Sequence, residues 1–168
     1  MLKNIAVAFM AVVLLSGCSS STGRYGDNNK HIVEFERVIG DRVFFDLNSS
    51  SLTSEAQSTL MRQAEWLEDH KLFSITIEGH CDERGTREYN IALGERRADS
   101  VKKFLAQHGI DTNRIDTISY GKERPAVIGN EGEAFAKNRR GVTAITPIQQ
   151  WSATYCSFNS GQMEFLPL

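Results

Sequence analysis

Charge excess of either sign is missing from this chain. Nineteen Lys and Arg face 21 Asp and Glu, a formal net charge of -2. A nucleic-acid-binding face concentrates basic residues to hold phosphates, and this balance offers no such footprint. Long apolar runs are missing too. The longest, Ile5–Leu15 (IAVAFMAVVLL), reaches about 16 Å as a helix at roughly 1.5 Å per residue, against a hydrocarbon core roughly 30 Å thick. No internal repeat of solenoid length is present. No G-x-S-x-G elbow, P-loop or paired-histidine H-x-x-x-H spacing occurs, which removes the usual signatures of serine hydrolases, nucleotide hydrolases and zinc proteases. Cysteine is scarce, with three residues in the whole chain.

What is present starts with a leader. Lys3 precedes the apolar run, and Leu15-Ser16-Gly17-Cys18 comes after it. A positive start, a short apolar stretch and a small-residue end describe a signal peptide over residues 1–17. The last four residues match the bacterial lipobox. Small side chains at 16 and 17 let a peptidase approach the backbone, and the Cys18 thiol is nucleophilic enough to take a lipid as a thioether. Each buried CH2 of the attached chains adds about 0.8 kcal/mol of membrane affinity, so several acyl chains anchor firmly. Ser19 is next, where aspartate would retain a lipoprotein at the inner membrane, so the expected location is the outer one. Residues 18–35 then read as the lipidated cysteine and a short flexible tether, from the polar SSSTGRYGDNNK. The two further cysteines, Cys81 and Cys156, would reach an oxidising compartment that permits a disulfide, and sequence leaves open whether they pair.

From residue 36 the pattern is that of one α/β domain. Arg42–Leu47 (RVFFDL) predicts a strand. Thr53 caps a helix with Glu55 in its first turn and an apolar stripe of Ala56, Leu60, Ala64 and Leu67. Phe73–Glu78 alternates as a second strand, Tyr89–His108 forms a second amphipathic helix stopped by Gly109, and Arg114–Tyr120 gives a third strand. A short helix over Glu131–Asn138 and a strand over Gly141–Thr146 complete the series. Strands alternating with helices imply a two-layer sandwich.

The stretch from Glu78 to Arg97 crowds ionised side chains around the junction of the second strand and second helix. Positions 90, 93, 97, 101 and 104 share one helical face. That face reads Asn90, Leu93, Arg97, Val101, Phe104, apolar except for an amide and a guanidinium. Arg96 points elsewhere. A guanidinium cannot shed its charge by losing a proton, so a desolvated Arg97 needs oxygen acceptors. Asp82 is the nearest acid, just beyond the strand end where α/β sheets bind ligands. Two readings are open. The pair is either a plain ion bridge tying loop to helix, or a dipolar receptor whose carboxylate takes an ammonium and whose guanidinium takes a carboxylate. Glu83, Arg87 and Glu95 read as a solvated rim.

The strings Gly79-His80-Cys81-Asp82-Glu83-Arg84-Gly85-Thr86, Glu88-Tyr89-Asn90 and Leu93-Gly94-Glu95-Arg96-Arg97-Ala98 resemble the OmpA-like peptidoglycan-binding domain. Phe44-Phe45-Asp46, Ser119-Tyr120-Gly121-Lys122-Glu123-Arg124-Pro125 and Lys137-Asn138-Arg139-Arg140 match further motifs of it in order, so the likeness covers about residues 40 to 146. The resemblance implies an α/β, OmpA-C-like two-layer sandwich over residues 36–146, with a mixed four-stranded sheet (βαβαβ-αβ) and helices on one face. It implies no catalysis, cofactor or metal. It implies a grip on the diaminopimelate residue of the peptidoglycan stem through Asp82 and Arg97, with Asn90 in the same pocket. Phe45, Asp46, His80, Thr86 and Leu93 match positions around that pocket, and Cys81 falls outside the expected grip. The implied role is an outer-membrane lipoprotein, its domain facing the periplasm, that tethers membrane to wall in envelope integrity and cell division. The implied partners are the peptidoglycan stem and the β-propeller protein of the Tol system, with no nucleic acid. Residues 147–168 extend past the domain with Trp151, Tyr155, Phe158 and Phe165 and have no assigned role. The competing reading is a metal-dependent wall hydrolase using His80, Cys81 and Asp82. On an extended strand Cys81 faces opposite to the other two. A flagellar-motor stator of the same superfamily would need a membrane helix carrying an acid, and Ile5–Leu15 is too short and has none.

If Cys18 is the lipid attachment site, Cys18→Ser yields an uncleaved precursor without acyl chains. Mass spectrometry of membrane-extracted protein checks this, and a cleaved, acylated mutant would refute it.

Overall fold

The computed structural model describes residues 23–129 and 131–148. The expected signal peptide, Cys18, Cys156 and the tail from 149 lie outside the described residues. The chain divides into two units, residues 1–31 and 32–168. Helix α1 (Gly23–Glu34) supplies the described part of the first, in which His31 Nε2 lies 3.8 Å from the Asp27 carboxylate one turn earlier. The expected tether over 18–35 is therefore helical from Gly23 onward. Its polar composition conceals this, and its end is apolar. Phe35 opens a π-helical turn (Phe35–Gly40), is fully buried, and meets the Trp66 ring at 5.0 Å. Ile32 packs against the same core, so the folded unit begins a few residues before 36.

In the second unit β1 (Arg42–Phe44), α2 (Ser54–Asp69), β2 (Phe73–His80), α3 (Arg87–Gln107), β3 (Ile115–Gly121), α4 (Gly132–Asn138) and β4 (Arg140–Pro147) succeed one another in order. The sheet is mixed, with spatial order β1-β4-β2-β3. β4 runs antiparallel to both β1 and β2, and β2 and β3 are parallel. β1 is shorter than the expected 42–47. Beyond Phe45 the chain turns away, with Asn48 in the left-handed region at φ 55°, and sends its carbonyls elsewhere.

The local signals act as their chemistry predicts. The Thr53 hydroxyl accepts from Ala56 N at 3.2 Å and starts α2, and the stripe Ala56, Leu60, Ala64, Leu67 is buried. Gln63 joins it without cost because both ends of its amide are satisfied, Nε2 donating to Gly40 O at 2.6 Å and Oε1 accepting from Thr143 at 2.9 Å. Along β2, Phe73, Ile75 and Ile77 are buried beneath the helices, while Ser74, Thr76 and Glu78 on the other side are half-buried. The Thr86 hydroxyl caps α3 by accepting from Tyr89 N at 3.2 Å, and Gly109 ends that helix region at φ 94°. On α3 the apolar face runs Leu93, Arg97, Val101 to Leu105, with Phe104 only partly buried beside it.

One contact sets how close α3 lies to the sheet. A Cβ placed on Gly79 of β2 would stand 1.8 Å from the carbonyl oxygen of Gly94 on α3, and one on Gly94 would stand 2.3 Å from the Ser119 hydroxyl. Main chain rests on main chain there, beside the end of β2. Gly79→Ala should accordingly cost about 3 kcal/mol or more, because rigid backbone must move. Gly109→Ala, where a Cβ meets nothing within 4 Å, should cost only about 1 kcal/mol of left-handed strain. Denaturant unfolding of the two variants measures the difference.

Candidate functional site

The end of β2, the β1–α2 turn, the first turns of α3 and the start of β4 converge on one narrow cleft. Leu47, Asn48, Cys81, Asp82, Asn90, Leu93, Arg97 and Arg139 line it. The cleft is narrow, and its two charged residues at the base, Asp82 and Arg97, are buried.

Arg97 forms its base. The side chain is 0 % exposed, yet four of its N–H donors find acceptors. Nε donates to Ser49 O at 2.9 Å, Nη2 to Asp46 O at 3.1 Å, and Nη1 to His80 O at 2.8 Å and to Cys81 Sγ at 3.4 Å. The Phe45 ring lies under the guanidinium, 5.2 Å from centroid to Cζ. A guanidinium has five N–H hydrogens. These four bonds leave one, on Nη2. Burial lowers the Arg97 pKa from its ordinary value, the Arg139 charge lowers it further, and Cys81 and Asp82 oppose both.

Asp82 sits beside it, 5 % exposed. The plain Asp82–Arg97 bridge is not formed, because Arg97 spends its donors on main-chain carbonyls. Asp82 is held by other cations instead. Arg84 Nη2 reaches Oδ2 at 2.5 Å, Arg84 N reaches Oδ1 at 3.2 Å, and Arg139 Nη1 lies 3.4 Å from Oδ2. Burial pushes the Asp82 carboxyl up, but the bonds and charge of Arg84, with help from Arg139, outweigh burial and hold it below the ordinary aspartate value. Two guanidiniums thus hold one carboxylate, with Arg97 lining the same cleft.

Asn90 is buried 2.8 Å from Arg84 O and 3.1 Å from Thr86 O through Nδ2. Both amide hydrogens fix the loop, which leaves the amide oxygen as its free function toward the cleft. Leu93 forms apolar wall. Phe45 and Asp46 contribute a ring and a carbonyl beneath Arg97, and Thr86 contributes the helix cap. His80 reaches the site only through its carbonyl. Its imidazole turns to the helix-free side of the sheet, 3.3 Å from Glu78 and 5.4 Å from the Tyr120 ring. Burial first, then the Arg140 charge, hold its pKa below the usual imidazole value against the pull of Glu78.

Cys81 lies against the grip rather than outside it. It lines the cleft, receives Arg97 Nη1 and donates to Asn90 O at 3.4 Å. Burial raises its thiol pKa, opposed by Arg97, so it is a protonated filler. Arg84 and Arg139 have site roles that sequence reasoning missed. Arg139 carried one signal, its place in the Lys137-Asn138-Arg139-Arg140 motif, and Nε ties it to Phe45 O at 2.9 Å. Among the described residues no three His, Cys, Asp or Glu gather to hold a metal ion.

Comparison with known proteins adds relatives to this geometry. The OmpA family model matches residues 44–139. The peptidoglycan-associated lipoprotein of Brucella melitensis is 44 % identical over 152 residues, covering 84 % of this chain and 90 % of that protein. That of Haemophilus influenzae is 39 % identical over 148 residues, covering 84 % and 96 %. The crystal structure of the peptidoglycan-associated lipoprotein from Burkholderia pseudomallei superposes with TM-score 0.64 at 34 % identity, over 68 % of this chain and 98 % of that one. The C-terminal domain of Helicobacter pylori MotB shares the fold at TM-score 0.59 and 24 % identity, over 63 % and 84 %.

The Asp82 carboxyl titrates lower in the folded chain than in the unfolded one. Its pairing therefore stabilises the fold at neutral pH, and that contribution is lost as pH falls below about 4, through the folded value. Carbon-detected NMR titration should place Asp82 below the ordinary aspartate value. A higher midpoint for Asp82 would contradict the pairing.

Proposed function

This chain belongs to the OmpA family and, within it, to the peptidoglycan-associated lipoproteins, and from that premise we propose that it binds the diaminopimelate-bearing stem of peptidoglycan without covalent chemistry. The observation that carries this reading is a single cleft lined by both Asp82 and Arg97. The side chain of diaminopimelate ends in an amino-acid head. Its ammonium suits the Asp82 carboxylate, and its carboxylate suits the Nη2 hydrogen that Arg97 has left over and the neighbouring Arg139. In a site shielded from water such charge-assisted bonds are short and strong. Asn90 offers its amide oxygen to the same ammonium, and Leu93 and Leu47 give the methylene chain an apolar wall.

Around this grip the rest of the role assembles. Cys18 carries the lipid that holds the chain in the outer membrane, in keeping with relatives named as lipoproteins. The domain faces the periplasm and couples membrane to wall, with the Tol-system β-propeller protein as its second partner. The protein is not an enzyme. The hydrolase reading needed His80, Cys81 and Asp82 to act together. The imidazole of His80 points away from the cleft, and Cys81 is a buried protonated thiol.

Purified sacculi should retain the protein, and free diaminopimelate should release it. Asp82→Asn keeps the shape of the side chain and should reduce retention by about 2–5 kcal/mol, some thirtyfold to several thousandfold, while the domain still melts cooperatively. Arg97→Lys should fail as well, since a point charge cannot serve three carbonyls and a ligand. The solvent-facing Arg96→Ala is the control and should bind normally. Normal retention of folded Asp82→Asn would end the proposal.

A further inference from the structure

We propose that Arg84 determines which wall chemistry the cleft accepts, as a built-in counter-ion that leaves Asp82 only for a ligand carrying both an ammonium and a carboxylate. This rests on the diaminopimelate reading above and goes beyond it. Arg84 closes the site. Its side chain and its own amide engage both oxygens of Asp82, at 2.5 and 3.2 Å. Its guanidinium also sits over the Phe135 ring of α4, 4.5 Å from the centroid. In that position it covers Asp82, whose side chain is 6 % exposed beneath an arginine that is 44 % exposed. No ligand ammonium reaches the carboxylate until Arg84 moves.

Of the two cations on Asp82, only Arg84 is built to leave. Arg139 is 16 % exposed, and its Nε is fixed to Phe45 O at 2.9 Å. Arg84 has its main chain pinned instead, the carbonyl accepting from Asn90 Nδ2 at 2.8 Å. Its long side chain is held only at its tip and is 44 % exposed, so it can rotate away with the loop unchanged.

Charge then sorts the ligands. A ligand ending in an ammonium alone, such as a lysine stem, replaces Arg84 on Asp82 with one cation for another, in a pocket that already holds Arg97 and Arg139. The displaced guanidinium loses the carboxylate that held it. An amino-acid head brings its own carboxylate. That carboxylate gives the released Arg84 a new oxygen partner in place of Asp82. Arg84 thus penalises the first ligand and spares the second.

Calorimetry on the full-length chain tests this with two probes, diaminopimelate blocked at one head as the N-acetyl amide and lysine blocked in the same way. Wild type should prefer the diaminopimelate probe. Arg84→Gln should raise affinity for the lysine probe roughly three- to tenfold, the scale of a partly exposed ion pair, and change the other probe less, so the preference narrows. Arg84→Lys should restore the preference. Phe135→Ala, which removes the shelf but keeps the charge, should narrow it by a smaller factor and carries the test should Arg84→Gln fail to melt cooperatively. An unchanged preference, or a parallel loss for both probes, overturns the role of Arg84 while leaving the diaminopimelate reading intact. Wild-type protein that binds neither probe overturns both.

Discussion

A permanent positive charge buried at the meeting point of three chain segments is the constraint on which the domain turns. Arg97 cannot be neutralised, and an uncompensated buried charge costs several kcal/mol. The fold answers with carbonyls from the β1–α2 turn and the end of β2, and with the Phe45 ring. To supply them, β1 must stop early, the turn must pass through left-handed Asn48, and α3 must lie close enough for its side chain to reach across. The Gly79–Gly94 contact provides that closeness. Satisfying one guanidinium therefore fixes the relative positions of β1, β2 and α3. Those are also the elements that frame the cleft.

The division of labour among the arginines depends on what each touches. Arg97 is held by main chain and acts as fixed floor. Arg139 shares its donors between main chain and Asp82. Arg84 touches Asp82 and an aromatic face and keeps much of its surface in water. Arg114, at the other end of the sheet, shows the first arrangement without a site. Its guanidinium gathers the carbonyls of Leu67, His70 and Phe73 and closes the end of α2.

The order of the elements from β1 to β4 could be read from the sequence, with ends displaced by up to three residues, because capping residues and apolar periodicity are local. Thr53, the stripe from Ala56 to Leu67, and Gly109 each act within one or two turns of themselves. Arg97 and Asp82 were legible for a related reason: a charge on an apolar face contradicts its surroundings. The acceptors of Arg97 were not legible, since backbone carbonyls belong to every residue and leave no mark in the sequence. The roles of Arg84 and Arg139 were hidden similarly, as charges on loops look like ordinary solvated ones until the fold brings Asp82 beneath them. Helix α1 escaped notice because a polar run rich in Gly and Asn scores as coil. Strand order escaped because alternation says that a strand has two faces and nothing about its neighbours.

That strand order has a bearing on how the chain acquires its structure. β4, last in sequence, occupies an interior place between β1 and β2, and β1 pairs with nothing else in the sheet. A nascent chain released from its N-terminal end can dock α3 on β2 and β3, but it holds a gap where the centre belongs until residue 140 and beyond arrive. Closing that gap joins segments roughly a hundred residues apart, the kind of long loop whose entropy slows folding. Assembly is thus deferred until β4 has been made, and until then the earlier elements remain a partial sheet without its centre.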